Sequence, residues 1–137
     1  MAKPENPKSQ IPNSSGPSKL GTTDPKPYDL RERAMVFAIR MVKVAASLPE
    51  NNEATIVRRQ IARSGTSIGA DIEEADGAES RPDKRRSFTI ARKEVRETRD
   101  WLRILQRLWA PNMKVDADIL EATELPNILS TIIRKLQ

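Results

Sequence analysis

From residue 28 onward, apolar residues recur at alternating steps of three and four, which is the spacing of one face of an α-helix. The spacing is maintained in four segments, and turn-forming residues such as proline, asparagine and glycine lie between them. No segment shows the strict alternation of apolar and polar residues that is typical of a β-strand. The pattern predicts helices at residues 29–48, 53–77, 81–109 and 115–136.

Local signals mark several of the helix ends. Ser80 is suited to cap the third helix, with Asp83 three residues later and Pro82 in the first turn. Gly77 is suited to end the second helix. Pro126 lies inside the fourth helix and cannot donate a backbone hydrogen bond, so we expect a kink or a short break there.

Short connections between helices of this kind place consecutive helices side by side and antiparallel. We therefore predict an all-α protein, in which residues 28–137 form an antiparallel up-and-down four-helix bundle. Residues 1–27 contain six prolines, four lysines and two acidic residues, with Ile11 and Leu20 as aliphatic anchors. Such a composition cannot bury enough apolar surface to fold. We predict a disordered, basic, Pro/Ser-rich tail; the alternative is a flexible arm that reaches nucleic acid or a partner.

The composition excludes several classes of chemistry. The chain has no cysteine and no histidine, which excludes disulfides, thiolate zinc sites, cysteine nucleophiles, Ser-His-Asp triads and histidine metal ligands. No apolar run approaches the ~20 residues that a transmembrane helix requires. We therefore expect a cytoplasmic, non-enzymatic protein with no catalytic residues, no metal site, no cofactor and no membrane partner.

Positive charge is concentrated in the third predicted helix. Residues 81–109 contain ten lysines and arginines and four acidic residues, whereas the remainder of residues 28–137 carries a net negative charge. Helical spacing places most of the arginines in one stripe beside the apolar face, and a stripe of guanidinium groups suits a nucleic-acid backbone. The predicted nucleic-acid-binding residues are Lys84, Arg85, Arg86, Arg92, Arg96, Arg99, Arg103 and Arg107.

The same helix fits a second interpretation, which is a solvated charged face. Glu94, Glu97 and Asp100 lie three or four residues from arginine or lysine neighbours, which is the spacing of ion pairs on a helix surface. Pairs of this kind would neutralise the arginine stripe. The residues alone leave both interpretations open.

The third helix also carries apolar residues away from its main apolar face. A broad apolar arc is expected either where a helix contacts two neighbours in a bundle or where subunits meet. We interpret the following residues as a candidate interface for self-association: Ile90, Trp101, Ile104 and Leu108.

Small residues dominate part of the second helix. Glycine within a helix costs about 1 kcal/mol relative to alanine, so a compensating role is expected. We expect these small residues to allow close helix–helix approach, namely Ser64, Gly65, Thr66, Ser67, Gly69 and Ala70. A local contact with an anion is the alternative. We also expect structural roles for Asp71 and for Glu74, with Glu74 buried beside this stretch and paired with an arginine such as Arg63 or Arg92.

Two acidic pairs give a remote enzyme hypothesis. Asp71 and Glu74 in the second helix have i, i+3 spacing, as do Glu97 and Asp100 in the third. Paired carboxylates suit Mg²⁺, and these pairs resemble those of all-α Mg²⁺-dependent nucleotide pyrophosphatases. However, the apolar face of the third helix leaves Asp100 pointing away from the bundle interior, so convergence within one subunit is not expected.

Four stretches of the chain, taken in order, carry a family signature: residues 63–75 (RSGTSIGADIEEA), 77–80 (GAES), 90–98 (IARKEVRET) and 101–105 (WLRIL). With Tyr28-Asp29-Leu30 and Gln60-Ile61, they make residues 28–136 resemble the four-helix-bundle family first noticed as the protein encoded in 23S rRNA intervening sequences. Three positions depart from the family pattern. Asp71 replaces the usual asparagine, Lys84 begins a more basic run near a position where the family favours a hydrophobic residue, and Asp100 lies near a position where the family favours an aromatic residue.

The resemblance implies a small up-and-down bundle with no enzymatic activity attached to it. Through its similarity to the accessory protein of diversity-generating retroelements, it also implies a ring-shaped homopentamer with a basic, nucleic-acid-binding surface. From the residues and the resemblance together we predict a non-enzymatic, oligomeric scaffold or adaptor that binds RNA or DNA through the basic helix face. The alternative is a protein–protein interaction module whose partner is a nucleic-acid enzyme.

Overall fold

The computed structural model describes residues 29–137. Within them the chain forms four helices, α1 (Leu30–Ala46), α2 (Asn52–Gly77), α3 (Arg81–Trp109) and α4 (Asp116–Lys135). The predicted all-α class and the four helical segments are confirmed, with only small displacements at the helix ends. The predicted tail, residues 1–27, lies outside the described residues. None of the four helices combines the length and the apolar character needed to cross a membrane.

Side chains cap the starts of the first three helices. Asp29, Asn51 and Ser80 each accept a hydrogen bond from a backbone N–H of the first turn, at 3.0, 2.8 and 3.2 Å. Each cap satisfies a donor that has no partner within the helix, and a cap of this kind typically contributes about 1 kcal/mol. The starts of α1, α2 and α3 are therefore encoded locally, whereas α4 begins after Val115 without a side-chain cap.

Each helix packs against the next one along the chain, which is the up-and-down arrangement. Contact is most extensive between α2 and α3, whereas α1 and α4 touch at few positions. The core lies between the four helices and consists mainly of aliphatic side chains, as the helical spacing predicted. Its largest fully buried residues are Met41, Ile61, Ile68, Val95, Leu102, Leu105, Val115, Leu125 and Leu129.

The small residues of α2 allow close packing at one position in particular. A Cβ atom added to Gly65 would lie 2.6 Å from Cγ and 2.7 Å from Cβ of Met41, which is too close for any side chain. Beside it, the Thr98 hydroxyl donates a buried 2.7 Å hydrogen bond to Ser64 Oγ. Gly69 is less constrained, because a Cβ there would lie 3.9 Å from Ala34. Among the small residues of this stretch, Gly65 is therefore the one whose place against Met41 leaves no room for a side chain.

Pro126 does not interrupt α4, and the expected short break is absent. The helix continues through Pro126, whose side chain is buried together with Leu125 and Leu129. A proline inside a helix removes one backbone hydrogen bond and costs roughly 3 kcal/mol. Burial of Pro126 and its neighbours in the core offsets that cost, so tertiary packing overrides the local preference.

Two arginines of α1 connect it to α4. Nε and Nη2 of Arg40 donate to the two carboxylate oxygens of Asp118 at 2.9 and 2.7 Å. Arg33 binds Glu121 in the same bidentate way, at 3.0 and 2.8 Å, and reaches Glu124 at 3.3 Å. The hydrogen bonds that the two guanidinium groups donate to these carboxylates raise the pKa of both arginines above the ordinary arginine value. We call this set of pairs the α1–α4 seam.

Candidate nucleic-acid interface

The arginine stripe predicted for α3 lies beside the core-facing side of the helix, on the flank where Arg92 contacts Ser130 of α4. Core-facing residues such as Val95 are fully buried. Four arginines in the second half of the helix are exposed or half-buried, and their spacing of three and four keeps them on one stripe. We call these four residues the outer arginines: Arg96, Arg99, Arg103 and Arg107.

The acidic residues of α3 are directed toward α2 and away from the outer arginines. Arg63 of α2 donates a hydrogen bond to Glu97, and its Nη1 atom lies 3.6 Å from Glu94. Asp100 is the exception, at 3.9 Å from Arg103 in an exposed pair. Two of the three acids that could have neutralised the stripe are therefore held by another helix.

The positive charge of the outer arginines is therefore left mostly without a carboxylate partner. Within residues 29–137, no carboxylate lies within ion-pair distance of Arg96, Arg99 or Arg107. The Nε atom of Arg99 is also buried and has no hydrogen-bond partner. A buried N–H without a partner typically costs about 1–3 kcal/mol.

Three of the other predicted basic residues hold helices together instead. Lys84 donates to two carbonyl groups at the end of α2, at 3.2 and 3.3 Å. Arg85 donates to the carbonyl of Leu136 at 3.1 Å. Cations are stabilising at helix C-termini, where carbonyl groups lack partners. Arg92 donates to Ser130 Oγ at 2.9 Å. All four acceptors are neutral, so the positive charges remain, but these side chains are already engaged.

Arg86 lies apart from the stripe. It lines a surface cavity of about 410 Å³ together with Glu74, Glu79 and Asp83. These three carboxylates give this end of the bundle a mixed charge. Of the eight predicted nucleic-acid-binding residues, Arg86 is therefore the one that the structure places in acidic surroundings.

The predicted self-association residues of α3 fall into two groups. Ile104 and Leu108 are exposed, whereas Ile90 is half-buried. Trp101 is packed partly against the core, and its Nε1–H donates to Glu97 at 3.3 Å. Only the first two residues present a substantial apolar surface, and their role in an interface stays a prediction.

Glu74 was expected to be buried, but its side chain is exposed. The two arginines named as its partners are engaged elsewhere: Arg63 with Glu97, and Arg92 with Ser130. Nearby, Ser67 donates its hydroxyl to a backbone carbonyl one turn earlier in α2, at 2.7 Å. Helical spacing alone did not show that the Glu74 side chain is exposed.

Asp71 is the acidic residue whose surroundings are most unusual. Burial and the nearby charges of Glu94 and Glu74 raise its pKa above the ordinary aspartate value. Its Oδ2 atom is buried without a hydrogen-bond partner. The two acidic pairs of the enzyme hypothesis do not converge, since Asp71 faces Glu94 while Glu97 is bound to Arg63. No group of three acidic residues in the described part of the chain is suited to hold a metal ion.

Comparison with known proteins finds a family and a solved structure that are similar to this chain. No curated protein matches the chain. A crystal structure of a protein with unknown function from the S23 ribosomal protein family of Bacteroides thetaiotaomicron VPI-5482 is 34% identical, with a TM-score of 0.69 over 76% of this chain and 97% of that one. The family model of the 23S rRNA-intervening sequence protein matches residues 26–131. This chain therefore belongs to the 23S rRNA-intervening sequence protein family.

Proposed function

We propose that this protein is a non-enzymatic, self-associating scaffold that binds RNA or DNA through backbone phosphates held by the outer arginines. The observation that carries the proposal is the lack of a carboxylate near Arg96, Arg99 and Arg107 within residues 29–137. Arginine does not lose its proton at physiological pH, so these charges persist unless an anion binds them. The exposed pair between Arg103 and Asp100 contributes little attraction, because water screens it.

The length of the stripe suits a polymer better than a small ligand. At 1.5 Å per residue, the distance along the helix from Arg96 to Arg107 is about 16 Å. Duplex DNA carries one negative charge per roughly 1.7 Å of its axis, so a stripe of this length lies beside several phosphates. Guanidinium groups also bind phosphate oxygens with two parallel N–H groups.

Contacts of this kind position a nucleic acid but do not read its sequence. Base recognition usually requires asparagine, glutamine or arginine aimed at base edges. Gln106, which interrupts the outer arginines, donates a 2.7 Å hydrogen bond to Asp116 and is therefore engaged within the bundle. We expect binding with little dependence on base sequence.

The comparisons support RNA as the first nucleic acid to test, because the family is described by its link to 23S rRNA intervening sequences. Self-association is supported by apolar residues that remain exposed on α3, namely Ile104 and Leu108. The expectation of five subunits follows from the resemblance alone and stays a prediction.

The test is a binding titration with the Arg96→Gln/Arg103→Gln/Arg107→Gln variant, measured by fluorescence anisotropy. The probes are labelled 20-nucleotide RNA and DNA of mixed sequence at low salt. Because three phosphate contacts are removed, we expect the affinity to fall roughly 30- to 100-fold. The matched control is Lys114→Gln/Arg134→Gln/Lys135→Gln, which removes three exposed charges away from α3 and should change the affinity less than about threefold.

Two results would contradict the proposal. Equal losses in the two triple variants would show that net charge alone, and not the outer arginines, attracts the probe. An unmodified protein that binds neither RNA nor DNA at low salt would rule out the function itself and leave the protein–protein interaction module.

A further inference from the structure

Two neighbouring sides of the bundle carry exposed apolar residues. On the side formed by α1 and α2, Met35, Ile39 and Val42 remain 57, 48 and 49% exposed and follow one another at steps of four and three. They line a groove of about 590 Å³ with small residues of α2. We call this side the α1–α2 face. Helix α1 is also apolar toward the core, and a helix that is apolar on opposite sides is expected to be covered on both.

The side formed by α2 and α3 carries a second apolar set. Ile56 of α2 is 59% exposed, and Ile104 and Leu108 of α3 are 41 and 55% exposed. Helical angles place the half-buried residues Ile90 and Trp101 on the same flank of α3. We call this side the α2–α3 face. The two faces share α2, so they are adjacent sides of one bundle and do not lie opposite each other.

We propose that the α1–α2 face of one copy of this chain packs on the α2–α3 face of the next copy, with α1 of one copy parallel to α3 of the other. The proposal rests on the self-association proposed above and names the two surfaces that meet. A contact between two different faces leaves one face of each copy free, so further copies add in one direction. Because the two faces are inclined to each other about α2, successive copies turn around an axis beside α2. Such a series closes into a ring, which is compatible with the ring that the resemblance implies.

A closed ring whose axis runs along the helices fixes which residues meet, because rotation about that axis changes no level along them. Met41, Gly65 and Thr98 mark one level, since a Cβ atom on Gly65 would lie 2.6 Å from Met41 and 3.9 Å from Thr98. Helices α1 and α3 run in the same direction, because each helix is antiparallel to the next. Thr98 lies 57 positions after Met41, so each residue of α1 is level with the residue of α3 at that separation.

Apolar residues of the two faces meet at this register. Met35 of one copy lies within two residues of the level of Ile90 on the next. Val42 lies within two residues of the level of Trp101. Two residues along a helix correspond to about 3 Å, a distance that side chains of this size span. The contact therefore covers the exposed row of α1 with the apolar flank of α3.

Opposite charges also meet at this register, on the edge of the contact that lies away from α2. Glu32 of α1 is level with Thr89 of the next copy, which lies between Arg86 and Lys93. All three charged side chains are exposed. Within residues 29–137, none of them has an ion-pair partner. Unpaired opposite charges at one level of two separate faces favour a second copy of this chain over an unrelated partner.

The contact also determines where the outer arginines lie in the assembly. They occupy the flank of α3 toward α4, where Arg92 donates to Ser130. The contact uses the opposite flank, where Glu97 is bound to Arg63 of α2. With α2 nearest the axis, the side formed by α3 and α4 lies on the outer circumference of the ring. Nucleic acid bound by the outer arginines would therefore pass around the outside of the assembly.

The first test mixes two variants that each lose one face. Val42→Glu places a carboxylate within one residue of the level of Asp100 on the next copy, and Ile104→Lys places an ammonium group one turn from the level of Lys43. By sedimentation velocity without nucleic acid, we expect each variant alone to associate at least about tenfold more weakly than the unmodified protein. Their equimolar mixture should form a one-to-one dimer, because each variant keeps the face that the other has lost.

The matched control mixes Val42→Glu with Val42→Glu/Ile104→Lys. This mixture contains the same substitutions but no complementary pair of faces, so it should stay monomeric, with unchanged helix content by circular dichroism. A single variant that still assembles, or an equimolar mixture of the single variants that stays monomeric, would overturn the pairing of faces and leave RNA binding by the outer arginines in place. A monomeric unmodified protein would contradict both this contact and the self-association on which it rests.

The second test exchanges charges at the surface, where the core is not disturbed. Lys93→Glu brings a like charge to Glu32 of the next copy, so we expect self-association to weaken roughly threefold to fivefold. Adding Glu32→Lys places opposite charges together again and should restore the association constant to within about twofold of that of the unmodified protein. A double variant that associates no better than Lys93→Glu would contradict the proposed register.

Discussion

Arginines are used in opposite ways in two regions of this molecule. In the α1–α4 seam, Arg33 and Arg40 each bind a carboxylate through two N–H groups. On the outer side of α3, Arg96 and Arg107 have no carboxylate partner within residues 29–137. The residue type is the same, and acidic residues are close in sequence in both regions, since Glu32 precedes Arg33 and Glu97 follows Arg96. The comparison shows that the facing helix, and not the local sequence, decides whether an arginine is neutralised.

The physical reason lies in what each region buries. Asp118 is almost completely buried, and a buried carboxylate requires a charged partner. The α1–α4 seam therefore contains matched pairs that hold two sparsely contacting helices together. On α3, the carboxylates of Glu94 and Glu97 lie beside α2 and are held by Arg63. The opposite side of α3 carries the outer arginines with Asp100 as the one acidic residue of α3 beside them, so it keeps an excess of positive charge that suits an external anion.

The largest expected effect concerns the α1–α4 seam. Arg40→Met leaves Asp118 buried without its partner, and breaking such a pair is strongly destabilising. Because Arg40 is itself 48% exposed, we expect the free energy of unfolding to fall by about 2 kcal/mol, measured by urea denaturation. The matched change Arg96→Met should stay within about 0.5 kcal/mol. Equal effects of the two changes would remove the distinction between the regions.

The double variant Arg40→Met/Asp118→Leu sharpens the same measurement. It removes both charges and replaces them with apolar side chains of similar volume, which is often close to neutral. We expect it to recover most of the stability lost in Arg40→Met. A double variant that is less stable than Arg40→Met would mean that Arg40 acts through its own packing rather than through Asp118.

A smaller effect concerns Asp71, a carboxylate that lacks an arginine. Its pKa is raised in the folded protein, first by burial and then by Glu94 and Glu74. The folded state therefore binds the proton more tightly than the unfolded state, and stability falls as the pH rises from the ordinary value of 3.8 through the raised pKa. Asp71→Asn removes this penalty, so its melting temperature should exceed that of the unmodified protein at pH 7.

The control for this prediction is the same comparison in acid. Near pH 3.5 the aspartate is largely protonated in both states, so the difference between Asp71→Asn and the unmodified protein should shrink. Thermal unfolding followed by circular dichroism at both pH values measures it. A difference that grows in acid would mean that the Asp71 carboxylate is stabilised, in conflict with its surroundings.

The smallest expected effect concerns Arg63 of α2, which binds the acidic residues on one side of α3. Arg63→Gln releases Glu94 and Glu97 from an ionic partner, and their charges then act more strongly on the neighbouring arginines. We expect RNA affinity to fall only about twofold, because the acids remain on the far side of the helix. Anisotropy titration at low salt measures this change. A loss as large as that of the Arg96/Arg103/Arg107 variant would place Arg63 in the binding surface itself.

The sequence was sufficient for the helices because their signals are local. Capping residues such as Ser80, together with the apolar spacing, predicted the bounds of α3, and small residues of α2 predicted its close packing. Pro126 shows the limit of local signals. The short break expected at this proline is absent, because its burial in the core outweighs one lost hydrogen bond. That burial is a property of the assembled bundle.

The candidate site was only partly predictable. The spacing on α3 identified the arginine stripe, but it could not show that Glu97 is bound to Arg63 of another helix. It also grouped Lys84 and Arg85 with the outer arginines, although both donate to carbonyls at helix ends. Contacts between helices that are distant in sequence decide these outcomes, and a helical projection of one segment does not contain them.

The salt dependence of RNA binding tests the central claim most directly. If the outer arginines hold phosphates, each contact releases counterions, and the logarithm of the affinity falls linearly with the logarithm of the salt concentration. We predict a slope of about −3 or steeper for four contacts, which becomes shallower by roughly 2 in the Arg96→Gln/Arg103→Gln/Arg107→Gln variant. A slope near zero, or the same slope in both proteins, would contradict the account.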